Sequence, residues 1–174
     1  WSSINFVKNI FSGGEYSNKD FSTLLFQLSW PTRNYLYHNG EKLGPYKDDI
    51  NPTKLTESGL TPIHYYDLLR IQILDEVEDL FKKCESLGIT PILINGSSEY
   101  EDIMNDYLKD RLLHIKVEAN QTKNHSIDYL LTNGYEGKRM HIQTPNGNDS
   151  HPSAEFHQMI ANNIITRIEP PLNV

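Results

Sequence analysis

The sequence predicts an α/β protein built on a parallel sheet, and three observations carry that expectation. Two short runs, residues 21–28 (FSTLLFQL) and 89–94 (ITPILI), are apolar and β-branched along most of their length, as strands covered on both faces are. Between them lies a stretch whose apolar residues recur every three or four positions, the period of a helix. A third apolar run, residues 112–117 (LLHIKV), follows further helical sequence. Strands that alternate with helices form right-handed βαβ units.

Taken in order, residues 2–11 read as a short helix, capped by Ser2 or Ser3 and stopped by Gly13-Gly14. The first strand, 21–28, ends in the polar and aromatic loop Ser29-Trp30-Pro31-Thr32-Arg33. From Asn34 to Pro62 the composition turns to Tyr, Asn, Gly, Pro and Lys without clear periodicity, which reads as an irregular surface excursion long enough to be functional. Residues 64–87 form the clearest helix. Leu69, Ile73, Val77, Leu80, Phe81, Cys84 and Leu87 make its apolar stripe, and Gly88 ends it. The second strand, 89–94, runs into Asn95-Gly96-Ser97-Ser98; residues 100–108 are helical and lead to the third strand, 112–117. A short helical piece at 126–132 precedes a turn-rich loop over 133–150. The last helix spans about 153–167, with Phe156, Met159, Ile160 and Ile164 on one face.

The bulk properties narrow the function. With 174 residues, 37% hydrophobic and 22% charged, the chain is ordinary for one globular domain with a sizeable core. A net charge of -7 and a pI near 5.4 argue against nucleic acid as main partner, since phosphate binding needs a basic face. A lone cysteine, Cys84, excludes an intrachain disulfide framework and a cysteine-based metal site. No apolar run reaches membrane-spanning length, and none reads as a signal peptide. The chain starts at Trp1, so a processed product or the ordered portion of something longer is expected. His38, His64, His114, His125, His141 and His157 are scattered, and no His/Asp/Glu group has metal-site spacing. No metal and no cofactor is expected.

The segment that carries chemistry is Asn148-Asp149-Ser150-His151-Pro152-Ser153, directly before the last helix. A carboxylate two residues from a histidine holds the imidazole in one tautomer, so that its other nitrogen is presented to a reacting hydroxyl. The local alternative is an Asx-type turn and helix cap, with Ser153 as N-cap. Parallel sheets gather functional groups at the carboxyl ends of their strands. That rule points to the loop at 29–33, the loop at 95–98 and the segment bearing Asp149 and His151. Ser97 sits in a strand-end turn like a weak nucleophile elbow, its alternative being a polar turn. Ser29 is another strand-end hydroxyl, with a cap as its alternative. Arg33 is a candidate ligand for an anion or carbonyl. The tyrosines 35, 37, 46, 65 and 66, with Trp30 nearby, suit stacking on sugars, a protein interface, or plain packing.

An apolar strand, a long amphipathic helix, a second strand ending in a small polar loop, and Asp-x-His-Pro-Ser before a C-terminal helix together resemble the later half of the SGNH (GDSL-like) hydrolases. The resemblance covers roughly residues 20–168, and its motif-like part is 149–157. It implies a flavodoxin-like three-layer α/β/α sandwich, with residues 1–174 as a single domain of a longer chain. His151 then takes the general-base position and Asp149 the orienting acid, although the family's usual spacing is Asp-x-x-His and that outer position here is Asn148. The family's Gly-Asp-Ser nucleophile segment has no counterpart, so the nucleophilic serine is expected outside this chain. Where the family carries an oxyanion-hole asparagine stand Arg33 and Asn34. The implied activity is ester hydrolysis, with an ester or an acetylated carbohydrate as substrate. The alternative is a non-catalytic SGNH-like binding or structural module among other protein subunits, in an assembly such as a phage particle or a cell-surface complex.

Overall fold

The computed structural model describes residues 21–44, 52–113, 126–134, 138–144 and 147–168, and for residues 143, 144, 147–150 and Pro52 the backbone alone. The expected helix at 2–11 and most of the strand at 112–117 fall outside the described residues. Within them the protein is mixed α/β with a small parallel sheet, as expected from the alternating pattern.

Strand β1 (Thr23–Leu28) pairs with β4 (Thr90–Asn95). Thr90 donates to the Ser22 carbonyl at 2.8 Å, and Gly96 donates to Leu28 at 2.9 Å. Both strands advance together along these bonds, so the pair is parallel. Parallel pairing demands a long crossover, and most of the chain between the two strands is helical. Beside β4, Leu93 makes an isolated parallel bridge with Leu112, and Leu113 donates to the Leu93 carbonyl at 2.7 Å.

The stretch expected to be irregular is ordered in its described parts. Strands β2 (Leu36–His38) and β3 (Glu41–Leu43) form an antiparallel hairpin in which Leu36 opposes Leu43 and His38 opposes Glu41. Asn39 and Gly40 make its turn with φ of 49° and 80°, the left-handed pair that matches the twist of a two-residue hairpin. Helix α1 (Pro52–Glu57) follows.

Helix α2 (Pro62–Ser86) starts two residues before the expected helix, because Thr61 caps it by accepting the His64 N–H at 3.2 Å and Pro62 fits its first turn. Leu69, Ile73, Val77, Leu80, Phe81 and Cys84 are buried, as their spacing requires. Leu87 is not. It lies past the last turn and is 52% exposed. The expected helix at 100–108 is also displaced. Ser98–Tyr100 is a 3-10 turn, and helix α3 (Asp106–Arg111) begins only where the Asn105 side chain accepts the Leu108 N–H at 2.9 Å. Helix α4 (Ile127–Asn133) has Ser126 as its N-cap.

The expected loop at 133–150 contains an antiparallel pair, β5 (His141–Thr144) with β6 (Gly147–Pro152), in which His141 opposes Pro152. This run is polar and lacks the alternation that marks a half-buried strand. Helix α5 (Ala154–Ile168) ends the described chain.

The protein packs as two compact units. One draws its described residues from Trp1–Leu24, Ser29–Pro91 and Glu99–Asp110, the other from Leu25–Leu28, Ile92–Ser98 and Arg111–Val174. The first is centred on the buried face of α2. In the second, Ile92, Ile94, Leu113, Ile127, Leu130, Met140 and Phe156 form one apolar cluster, with Met159, Ile160 and Ile164 packed against it. These are the residues that the periodicity of α5 placed on its inner face.

Candidate functional site

In the second unit, the turn after β4 is tightly built. The Asn95 carboxamide oxygen accepts the Ser97 N–H at 3.2 Å, a local Asx bond. Gly96 lies so close to the Leu28 carbonyl that a side chain there would overlap it. Ser97 is 0% exposed. Ser98 is exposed, donating its N–H to Asp128 at 2.9 Å and its hydroxyl at 3.2 Å. Ser126 also donates its hydroxyl to Asp128, whose own N–H reaches the Gly96 carbonyl at 3.3 Å. The strand end is thereby clamped to the first turn of α4, where a carboxylate is favoured by the helix dipole.

His151 belongs to the same unit. It lies in β6 rather than on the expected loop, one residue before the strand's end, and is exposed. Hydrogen bonds hold the backbone just beyond it. Ser153 donates its N–H to the Met140 carbonyl at 2.8 Å, while its hydroxyl accepts the Phe156 N–H at 3.2 Å and caps α5. Asp149 stands two positions earlier on β6, and its side chain lies outside the described residues.

The first unit holds Ser29, Arg33 and Asn34. The Ser29 carbonyl accepts the Tyr100 hydroxyl at 3.0 Å. Pro31–Arg33 form a 3-10 turn, and the Arg33 guanidinium stacks 4.7 Å above the Trp30 ring. Asn34 is buried, and one N–H of its carboxamide donates to the Trp30 carbonyl at 3.3 Å. Its amide therefore helps hold the turn in shape. Ser29, Arg33 and Asn34 are in one unit; Ser97, Asp149 and His151 are in the other.

Sequence reasoning missed a polar cluster in the first unit. Arg70, 12% exposed at its side chain, donates to Asp67 at 2.9 Å, to Asp102 at 2.7 Å and to the Glu99 carbonyl. Burial works against its charge, but the bonds to Asp67 and Asp102 outweigh burial and raise its pKa. The Tyr66 phenol is pushed well above the usual tyrosine range by burial first and then by the neighbouring Glu99 carboxylate. Burial does the same to Tyr100. Beside this cluster opens a cavity of about 530 Å3 lined by Thr32, Pro62, Ile63, Tyr66, Asp67, Arg70 and Glu99. The sequence signal was partial: Asp67 and Arg70 sit three apart on one helix, while Glu99 and Asp102 come from far along the chain.

Among the described residues no group of three or more His, Cys, Asp or Glu side chains is placed to hold a metal ion, and no helix is long and apolar enough to cross a membrane. Compared with protein-family models, with curated proteins and with solved structures, the chain finds no match in any of the three.

Proposed function

We propose that this chain supplies the base-bearing part of an SGNH-type ester hydrolase, on a flavodoxin-like three-layer sandwich of which the β1–β4 pair is one segment. The supporting observation is the setting of His151. Asp149 stands two positions before His151 on β6, in the stretch opposite His141–Gln143 where the pairing register shifts. Just beyond them, the Ser153 bonds to Met140 and Phe156 fix the backbone.

In the proposed reaction a serine carried outside this chain attacks the ester carbonyl. His151 takes the proton from the serine hydroxyl as the Oγ–C bond forms, and the carbonyl π electrons move onto oxygen. When the tetrahedral intermediate collapses, the C–O bond to the alcohol breaks and His151 returns the proton to the leaving oxygen. Water, deprotonated by the same imidazole, then releases the acid and restores the serine. Asp149 orients the ring throughout. The substrate is an ester, with an acetylated carbohydrate as the leading class.

A second reading, a non-catalytic binding module, is favoured by the strand-end serines. Ser97 is wholly buried, and the Ser98 hydroxyl is bonded to Asp128 and not to an imidazole. A fluorophosphonate probe on the full-length protein separates the two readings. The hydrolase reading expects a serine outside these 174 residues to be labelled, and the labelling to drop sharply in His151→Ala. Absence of labelling, or labelling that ignores His151, leaves the module.

A further inference from the structure

Four asparagines of this chain precede a glycine: Asn39, Asn95, Asn133 and Asn146. Such pairs are chemically labile, because a glycine without Cβ lets its backbone nitrogen approach the asparagine carboxamide. The fold treats the described pairs differently. Asn95 is buried, its carboxamide oxygen accepts the Ser97 N–H at 3.2 Å, and the Gly96 N–H donates to the Leu28 carbonyl at 2.9 Å. Asn133 donates a carboxamide N–H to the Tyr129 carbonyl at 3.0 Å, and the Gly134 N–H donates to the Leu130 carbonyl at 2.8 Å. In both pairs the attacking nitrogen and the carboxamide are held by hydrogen bonds. Asn146 falls outside the described residues.

Asn39-Gly40 stands apart. Both residues are exposed at the tip of the β2–β3 hairpin, outside the ladder that closes with His38 opposite Glu41. Apart from the chain neighbours, nothing lies within 4 Å of the place a Gly40 Cβ would take, so water reaches this backbone. The Asn39 carboxamide nitrogen lies 3.2 Å from Nε2 of His38. That nitrogen is the atom that leaves as ammonia when an asparagine cyclises onto the next residue. An imidazole within hydrogen-bond reach of it can supply the proton the leaving group needs.

We propose that Asn39 is a self-modification site, deamidating onto Gly40 with His38 as general acid. Water takes the Gly40 N–H proton as that nitrogen bonds to Asn39 Cγ. The Cγ–Nδ2 bond then breaks, and ammonia leaves with a proton from the His38 imidazolium, which solvent replaces. Water opens the resulting succinimide to aspartate or isoaspartate. The product gains a carboxylate two residues from Glu41, and isoaspartate threads one more backbone atom through a two-residue turn. The site lies in the first unit and makes no use of His151. Peptide mass spectrometry of the folded chain, aged at neutral pH, reads the conversion, and isoaspartate-specific methylation identifies the product. Asn39 is expected to convert about tenfold or more faster than Asn95 and Asn133, whose hydrogen bonds must first open. In urea, where those bonds are gone, the three rates should come close together. His38→Gln keeps a polar side chain at that position but has no acidic proton to give. It is expected to slow Asn39 about tenfold, with the melting temperature and the Asn133 rate unchanged. Conversion at Asn39 no faster than at Asn95 or Asn133, a preference that persists undiminished in urea, or a rate indifferent to His38→Gln overturns the proposal.

Discussion

The Asp128 carboxylate accepts both the N–H and the hydroxyl of Ser98, at 2.9 and 3.2 Å, across a sequence separation of 30 residues. With the Ser126 hydroxyl on the same carboxylate, these bonds tie the exit of β4 to the entry of α4. Asp128→Ala removes a charged acceptor from three donors and an acid from a helix first turn, and is expected to cost about 1–3 kcal/mol. Asp128→Asn, which keeps an acceptor oxygen, should lose less. Urea denaturation checks this, with a lower midpoint at unchanged slope.

Gly96 gives a sharper steric test. A methyl group there overlaps the Leu28 carbonyl, which is backbone and cannot swing aside. Gly96→Ala is expected to cost about 1–3 kcal/mol by overpacking and to weaken the Gly96–Leu28 hydrogen bond at the end of the parallel pair. Hydrogen exchange at the Gly96 amide should speed up in the variant.

At the hairpin turn the backbone conformation itself is at stake. Gly40 has a φ of 80°, so Gly40→Ala is expected to cost on the order of 1 kcal/mol while leaving the rest of the fold intact. The comparison to make is the melting temperature of Gly40→Ala against that of Gly40→Asn, which tolerates the left-handed region better.

Cys84 makes stability depend on alkaline pH. Burial first, and the neighbouring Glu85 charge second, push its thiol up from an ordinary 9.0 to about 11. The folded state thus holds a proton that the unfolded chain gives up. This contribution is complete below the unfolded value of 9.0 and is lost as pH rises through about 11. Between pH 8 and 11 the melting temperature of the wild type should therefore fall more steeply than that of Cys84→Ala. Parallel curves would show that the thiol is not the cause.

Much of the frame was legible because burial writes a period into the sequence. Leu69 through Cys84 marked α2, the apolar runs marked β1 and β4, and Ser153 marked the start of α5. The β2–β3 hairpin had a signal too, Asn39-Gly40 between two short runs, but the surrounding polar composition masked it. Strands β5 and β6 offered none, being polar on a pair with no clear alternation. The candidate site divides in the same way. His151 and Asp149 could be found from a local motif, whereas Arg70 with Asp102, and Ser98 with Asp128, join residues about 30 apart. Only folding reveals pairs like those.

The most direct measurement is hydrolysis of p-nitrophenyl acetate by the full-length protein, wild type against His151→Ala. With His151 as general base, the variant should lose roughly 10²–10⁴-fold in rate while melting at the wild-type temperature. Equal rates for the two proteins would contradict the account.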